Sequence, residues 1–306
     1  MGALSPGFGG ERITNTVQSV RTSTLKSRPE STNGSFASSH RKTAHSQDRK
    51  NTPISRSPEL RIIPLPLQAE VRPGAALATM LLTALKHQKQ KLVAGDILVL
   101  KHKIVSKAEG QFVKLDNIRP SRASRAWALR HDLDPRVIEL GLTQSRRIVR
   151  RKRGVLITET GHGLICANSG VDVSNVNGGR HALLLPEDPD RSAAELHREL
   201  KKRLKLSIPV IITDSFGRPW REGLTETAIG VAGMKALHDY RQQRDPHGYT
   251  LKASIEAIAD ELACAAGLVC GKLTRTPACI IRGFRYRPGP GNASDLIRPA
   301  ATDLFR

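Results

Sequence analysis

The stretch Leu164–Asn175, L-I-C-A-N-S-G-V-D-V-S-N, decides how this chain is read. An apolar run, Leu164 to Ala167, stops at Asn168-Ser169-Gly170, and a carboxylate, Asp172, follows with Ser174 and Asn175. An apolar run broken by Asn and Gly predicts a buried strand that delivers polar side chains to one end. A second segment repeats the plan: Ile208–Ile212 leads into Thr213-Asp214-Ser215-Phe216-Gly217-Arg218. Two strands that each end in an Asp beside a hydroxyl would set two carboxylates side by side. Such carboxylates repel unless a cation sits between them, and a hard divalent ion is the usual one. The pattern points to a metal–phosphate site. Turn-forming Asp and Ser also serve plain structure, as caps and Asx turns.

Around this pair the chain reads as mixed. Arg61–Leu67 is a short strand interrupted by Pro64 and Pro66, and Ala75–Gln88 is an amphipathic helix with Leu77, Leu81, Leu82 and Leu85 on one face. Asp96–Leu100 is a strand that Ile104 and Val105 continue into Ser106–Gly110. Asp134–Arg147 is a helix with Asp134 as N-cap and Pro135 in its first turn. Gly154–Thr160 and Gly163–Ala167 form a hairpin about Gly161-His162. Asp190–Leu204 and Ser254–Cys270 are helices, and Ala278–Arg282 is the final strand. Without a regular βαβ repeat, this order predicts an α+β fold: a mixed sheet with packed helices, neither a P-loop nor a Rossmann fold.

Composition frames the ends. The 306 residues carry 49 Lys+Arg against 28 Asp+Glu, a net +21 that favours anionic partners. Residues 1–58 are Ser-, Thr- and Arg-rich, without helical or strand periodicity, and predict a disordered basic leader. The catalytic domain is expected over 59–285, with a loose tail over 286–306 where Pro, Gly, Asn and Ala dominate. The leader's Arg and Ser content also resembles organelle transit peptides. No apolar run nears the roughly 18 residues of a membrane helix, and the start lacks a secretory layout, so the expected location is the cytoplasm. Cys166, Cys264, Cys270 and Cys279 form no C-x-x-C pair and are expected as reduced thiols.

Other constellations are weaker. Ser106–Gly110 brings Lys107 near a glycine, a common way to set an ammonium on a phosphate, yet it lacks the P-loop order. Phe216–Arg221 places Arg218 and Arg221 about a Gly-Pro turn, where two guanidinium forks suit a polyanion or merely form an Arg-rich surface loop. His131, His162, His181, His197 and His238 fall at no metal-ligand spacing. The basic run Arg146–Arg153 reads as a solvated helix end; a nucleic-acid patch there would lack interleaved aromatics.

With these residues quoted, the chain resembles the coenzyme F420-0:L-glutamate γ-ligase family from about Ile62 to Gly283. Seven segments stand in the family's order: Leu65-Pro66-Leu67, I-V-S-K-A-E-G (Ile104–Gly110), C-A-N-S-G-V-D-V-S-N (Cys166–Asn175), L-L-P-E-D-P-D (Leu184–Asp190), T-D-S-F-G-R-P-W-R (Thr213–Arg221), A-I-G-V-A-G (Ala228–Gly233) and A-D-E-L-A (Ala259–Ala263). The resemblance implies a GTP-dependent ligase that adds L-glutamate to F420-0 through an acyl phosphate. It implies Asp172, Asp214 and Ser215 as ligands of two divalent ions, Mg2+ or Mn2+, with K+ as a further ion. Lys107, Asn175, Gly271 and the stretch Leu65, Pro66, Leu67, Gln68 are implied as GTP contacts, with Lys107, Asp172 and Asp214 as the catalytic set. It also implies a homodimer and no membrane partner. His102 departs from the family, standing where a serine commonly touches GTP. Lys272 falls in a phosphate-side loop where some members carry a metal-binding carboxylate and others a lysine. A paralogue with another amino acid or acceptor, or a basic nucleic-acid-binding protein, are the alternative readings.

Overall fold

The computed structural model describes residues 59–173 and 179–304. Its centre is a five-stranded sheet built from β1 (Arg61–Leu65), β2 (Ile97–Lys101), β8 (Val210–Arg218), β9 (Arg221–Ala232) and β12 (Ala278–Arg282), in the order β1-β12-β2-β8-β9. Only β2 and β8 run parallel; every other pairing in this sheet is antiparallel. The central strands are near-continuous apolar runs, as burial on both faces requires. Leu98, Leu100, Val210, Ile212 and Ile280 face a layer made by α1 (Leu77–His87), α2 (His102–Ala108) and α5 (Pro189–Leu204). Ile97, Val99, Ile211, Cys279 and Ile281 face α6 (Ile258–Val269) on the other side.

The helices are bounded by ordinary capping chemistry. At α5 the Asp188 side chain accepts the Arg191 N–H at 3.0 Å, Pro189 opens the helix, and Lys201, Lys202 and Arg203 face the negative end of the dipole. In α4 (Pro135–Thr143) Asp134 accepts the Arg136 N–H at 2.8 Å. A smaller layer lies beside the main sheet. It comprises β4 (Ser145–Lys152), β5 (Val155–Thr160) and β6 (Ile165–Ala167), the pair β3 (Phe112–Lys114) and β7 (His181–Leu183), α3 (Arg122–His131) and α4. A short ribbon, β10 (His238–Asp239) with β11 (Ile255–Glu256), precedes α6.

The α+β class, the hairpin about Gly161-His162 and the strand Ala278–Arg282 are as the sequence implied. Four readings change. Ile104 and Val105 lie in α2, not in an extension of β2, because their β-branched side chains are buried under the sheet from a helix. Helix α4 ends at Thr143, and Arg146–Arg153 becomes edge strand β4 and its turn, with most of its cations in water. Helix α6 starts at Ile258, since Ile255–Glu256 pairs with β10. Residues 286–297 are held more closely than their composition suggested: Met234 bridges Pro288, Ala293 is buried, and its N–H donates to Asp190 at 2.8 Å. No helix among the described residues is long and apolar enough to cross a membrane.

Candidate functional site

The parallel pair builds the site. Leu98–Lys101 pairs in register with Val210–Thr213, so both strands send the residues that follow toward the same edge of the sheet. Along β8 side chains alternate, which sends Thr213 and Ser215 to the α6 face and Asp214 to the α2 face. Register adds the next partner. Ser215 lies directly opposite Glu226 on β9. The Glu226 carboxylate accepts Ser215 Oγ at 2.6 Å and Thr213 Oγ1 at 2.9 Å, and Lys101 seats its ammonium on the same carboxylate. Burial pushes Glu226 up, but the Lys101 ammonium and the two hydroxyls outweigh it and hold the carboxyl below its usual value. Lys272, on the turn after α6, donates from Nζ to Ser215 Oγ at 2.8 Å.

On the α2 face, Asp214 Oδ1 accepts the Ser215 N–H at 2.7 Å and lies 3.4 Å from Nε2 of the buried His102. The next residue, Lys103, reaches Asp172 Oδ2 at 2.5 Å. Thus Asp172 and Asp214 meet consecutive residues of α2. Asp172 arrives there by an unusual route. Asn168, Ser169 and Gly170 take φ of 50°, 54° and 72°, three left-handed residues in succession. Such a conformation costs a non-glycine residue about 1–2 kcal/mol. Buried hydroxyl bonds hold it: the Ser169 N–H donates to Thr158 Oγ1 at 2.9 Å, and Ser169 Oγ donates to the Gly141 carbonyl at 2.7 Å. At Gly170 a Cβ would lie 2.7 Å from Leu185 Cγ, so the turn takes glycine for space as well as for φ. Beyond it, Asp172 exchanges both backbone hydrogen bonds with Leu183, at 3.0 and 2.8 Å.

These walls enclose a cleft of 1260 Å³ lined by Leu67, Gln68, Lys101, His102, Lys103, Lys107, Asn168, Asp172, Asp214, Ser215, Gly271, Lys272 and Arg275, among others. Lys107 pairs with Glu70 at 2.7 Å across its mouth, which holds the Glu70 carboxyl below its usual value. Three carboxylates therefore stand among five cations, Lys101, Lys103, Lys107, Lys272 and Arg275, on its wall. Such a surface favours an anionic ligand. Asn168 Oδ1 is buried there without a hydrogen-bond partner, whereas His102 Nε2 has the Asp214 carboxylate at 3.4 Å.

The model of the F420-0:gamma-glutamyl ligase family matches residues 67–283. The chain belongs to that family. It is similar to proteins named coenzyme F420:L-glutamate ligase from several archaea. The one from Methanopyrus kandleri is 44% identical, over 81% of this chain and 98% of the relative. The one from Methanothermobacter thermautotrophicus is 41% identical, over 76% and 93%, and that from Methanocaldococcus jannaschii 42%, over 69% and 85%.

Most residues singled out from the sequence meet in the cleft: Lys107, Asp172, Asp214, Ser215, Gly271, Leu67 and Gln68. Leu65, at the end of β1, is fully buried in the core, and Pro66 accepts Gln68 Nε2 at 3.3 Å through its carbonyl; neither lines the cleft. Asn175, with Ser174, lies outside the described residues. Lys107 sits in the last turn of a helix rather than after a strand. Arg218 and Arg221 leave the site, since they pair at the far end of the β8–β9 hairpin, where Arg218 Nη2 donates to the Glu222 carbonyl. Lys101, Lys103, Glu226 and Asn168 were not foreseen. For Glu226 no signal existed before the strand register was known; for Lys101 and Lys103 the signal was their position flanking His102.

A divalent ion fits part of this donor set. Asp172 and Asp214 offer hard carboxylate oxygens in one cleft, which suits Mg2+ or Mn2+ completed by substrate oxygens. Among the described residues no group of three or more His, Cys, Asp or Glu forms a self-contained cage.

Proposed function

We propose that this chain is a GTP-dependent ligase that joins L-glutamate to coenzyme F420-0 through an acyl phosphate. The observation that carries the reading is the meeting of Asp172 and Asp214 with Lys103, Lys107 and Lys272 in one cleft, in a chain whose relatives bear the name coenzyme F420:L-glutamate ligase. A carboxylate and an amine do not condense in water, because hydroxide is a poor leaving group. The γ-phosphoryl of GTP passes to the acceptor carboxylate, the bond to GDP breaks, and the carboxyl carbon becomes electrophilic. The glutamate amine then attacks that carbon, phosphate departs with the bonding electrons, and the amine proton goes to solvent.

Phosphoryl transfer asks for alignment and charge neutralisation more than for covalent help. Lys107, Lys272 and Arg275 supply cations along the wall that takes the phosphates. Asp172 and Asp214 would hold the divalent ion, whose chemistry is to neutralise phosphate oxygens. Lys103, paired with Asp172 on the cleft wall, neutralises that carboxylate until a substrate arrives. The apolar core beneath α2 keeps water from one side of the reacting groups.

The test is phosphate release from GTP with L-glutamate, with and without F420-0, and mass spectrometry of the product. One or more glutamyl units should be gained, dependent on a divalent ion. Equal turnover with ATP, or no gain of glutamate, removes the substrate assignment.

A further inference from the structure

Asp214 and Ser215 are adjacent, yet they differ in what they can still do. Asp214 brings a charged carboxylate to the α2 face. Ser215 brings one neutral oxygen to the α6 face, and that oxygen is engaged in both directions: it donates to Glu226 at 2.6 Å and accepts from Lys272 at 2.8 Å. Glu226, its acceptor, is itself closed by Lys101 and Thr213. A divalent ion ligated by Ser215 Oγ would stand beside the Lys272 ammonium, and two unscreened cations at such a separation repel strongly.

Resting on the ligase reading above, we propose that the Lys272 ammonium is the fixed cation for the transferring phosphoryl group on the Ser215 side, and that the site takes up one divalent ion, at Asp172 and Asp214. Lys272 suits this task. It follows Gly271 at the end of α6, lines the cleft together with Arg275, and is exposed apart from its bond to Ser215. An ammonium carries three donors on a flexible stem, so it holds Ser215 and a phosphate oxygen at once. The network behind it, Ser215, Glu226, Thr213 and Lys101, fixes where that ammonium rests. Charge balance agrees, since Lys101 already answers Glu226 and no carboxylate on that face remains for a metal among the groups that touch Ser215.

The experiment counts Mn2+ bound to the full chain in the presence of a non-hydrolysable GTP analogue, by electron paramagnetic resonance of the free ion and by equilibrium dialysis. The wild type should bind one Mn2+ per chain. Lys272→Met should keep that ion and lose about tenfold in analogue affinity, the scale of one charge-assisted hydrogen bond. Two Mn2+ per wild-type chain, or unchanged analogue affinity in Lys272→Met, overturns the inference and leaves the ligase reading standing. If no Mn2+ is taken up with the analogue, the ligase reading falls, and this inference with it.

Discussion

Lys101→Met tests the buried network directly. The Lys101 side chain is 19% exposed and that of Glu226 only 8%, so the methionine leaves a carboxylate with two hydroxyl donors and no cation in a nearly dry position. Breaking a buried pair from one side costs about 3–5 kcal/mol. At about 2–4 °C per kcal/mol for a domain of this size, the melting temperature should fall by roughly 6–20 °C at neutral pH. The pH dependence carries a sign. In the wild type the folded Glu226 value lies below its ordinary 4.5, so its stabilisation is complete above that value and is lost as pH falls through the lower folded value. Without Lys101, burial dominates and pushes the carboxyl up, and the folded variant then gains stability as acid protonates it. The gap between the two proteins should therefore narrow as pH is lowered from 7 toward 5. Lys101→Met/Glu226→Gln, with no charge left to strand, should recover most of the loss. Urea unfolding of the three proteins at pH 7 and pH 5 measures all of this. A loss under about 1 kcal/mol at pH 7, or a gap that does not narrow, would refute the reasoning.

Asp172→Asn and Asp214→Asn should each abolish glutamate ligation, and each should lose most of the thermal stabilisation that Mg2+ with GTP gives the wild type; equal stabilisation in all three removes both residues from the site. Asp190 Oδ1 accepts the N–H of both Val231 and Ala293 at 2.8 Å, so Asp190→Ala should cost about 2–5 kcal/mol while Asp190→Asn, which keeps that oxygen, should cost about 1 kcal/mol or less. Equal losses in thermal denaturation would show that these bonds do not tie the C-terminal segment down. In native protein at pH 8 a disulfide reagent should titrate one thiol quickly, the exposed Cys264; Cys166, pushed up to about 12 by burial and then by Asp214, and the buried Cys270 and Cys279 should wait for unfolding. Rapid reaction of two or more thiols contradicts the burial described.

What could be read in advance was what depends on near neighbours. The run Ala278–Arg282 is apolar, short and bounded by Pro277 and Gly283, and it is a strand with those ends. Asp134-Pro135 announced a helix start, and Asn168-Ser169-Gly170 a turn toward a carboxylate. What escaped depends on distant partners. Ile104 and Val105 have strand propensity, and only the sheet above them makes a helix the better way to bury both. The cations of Arg146–Arg153 looked like a helix end because an edge strand exposed along most of its length shows no apolar alternation. Asp172 and Asp214 were legible as carboxylates that follow apolar runs, and both line the cleft. Glu226, within T-E-T, looks like any exposed strand residue, and it gains meaning only through the pairing that sets it opposite Ser215.

Strand β12 has a consequence for how the chain is made. It lies between β1 and β2, both synthesised long before it, and among the described residues it is the last strand to leave the ribosome. Until then β1 and β2 have no shared neighbour, and their unpaired backbone edges are open to wrong partners. Its Cys279, Ile280 and Ile281 are fully buried, so it fills an inner position of the sheet and not a margin. Lys272 is translated only a few residues ahead of it. The Lys272 wall of the cleft and this inner strand are thus finished in the same moment of translation, and a chain terminated before Ala278 loses its sheet together with that wall.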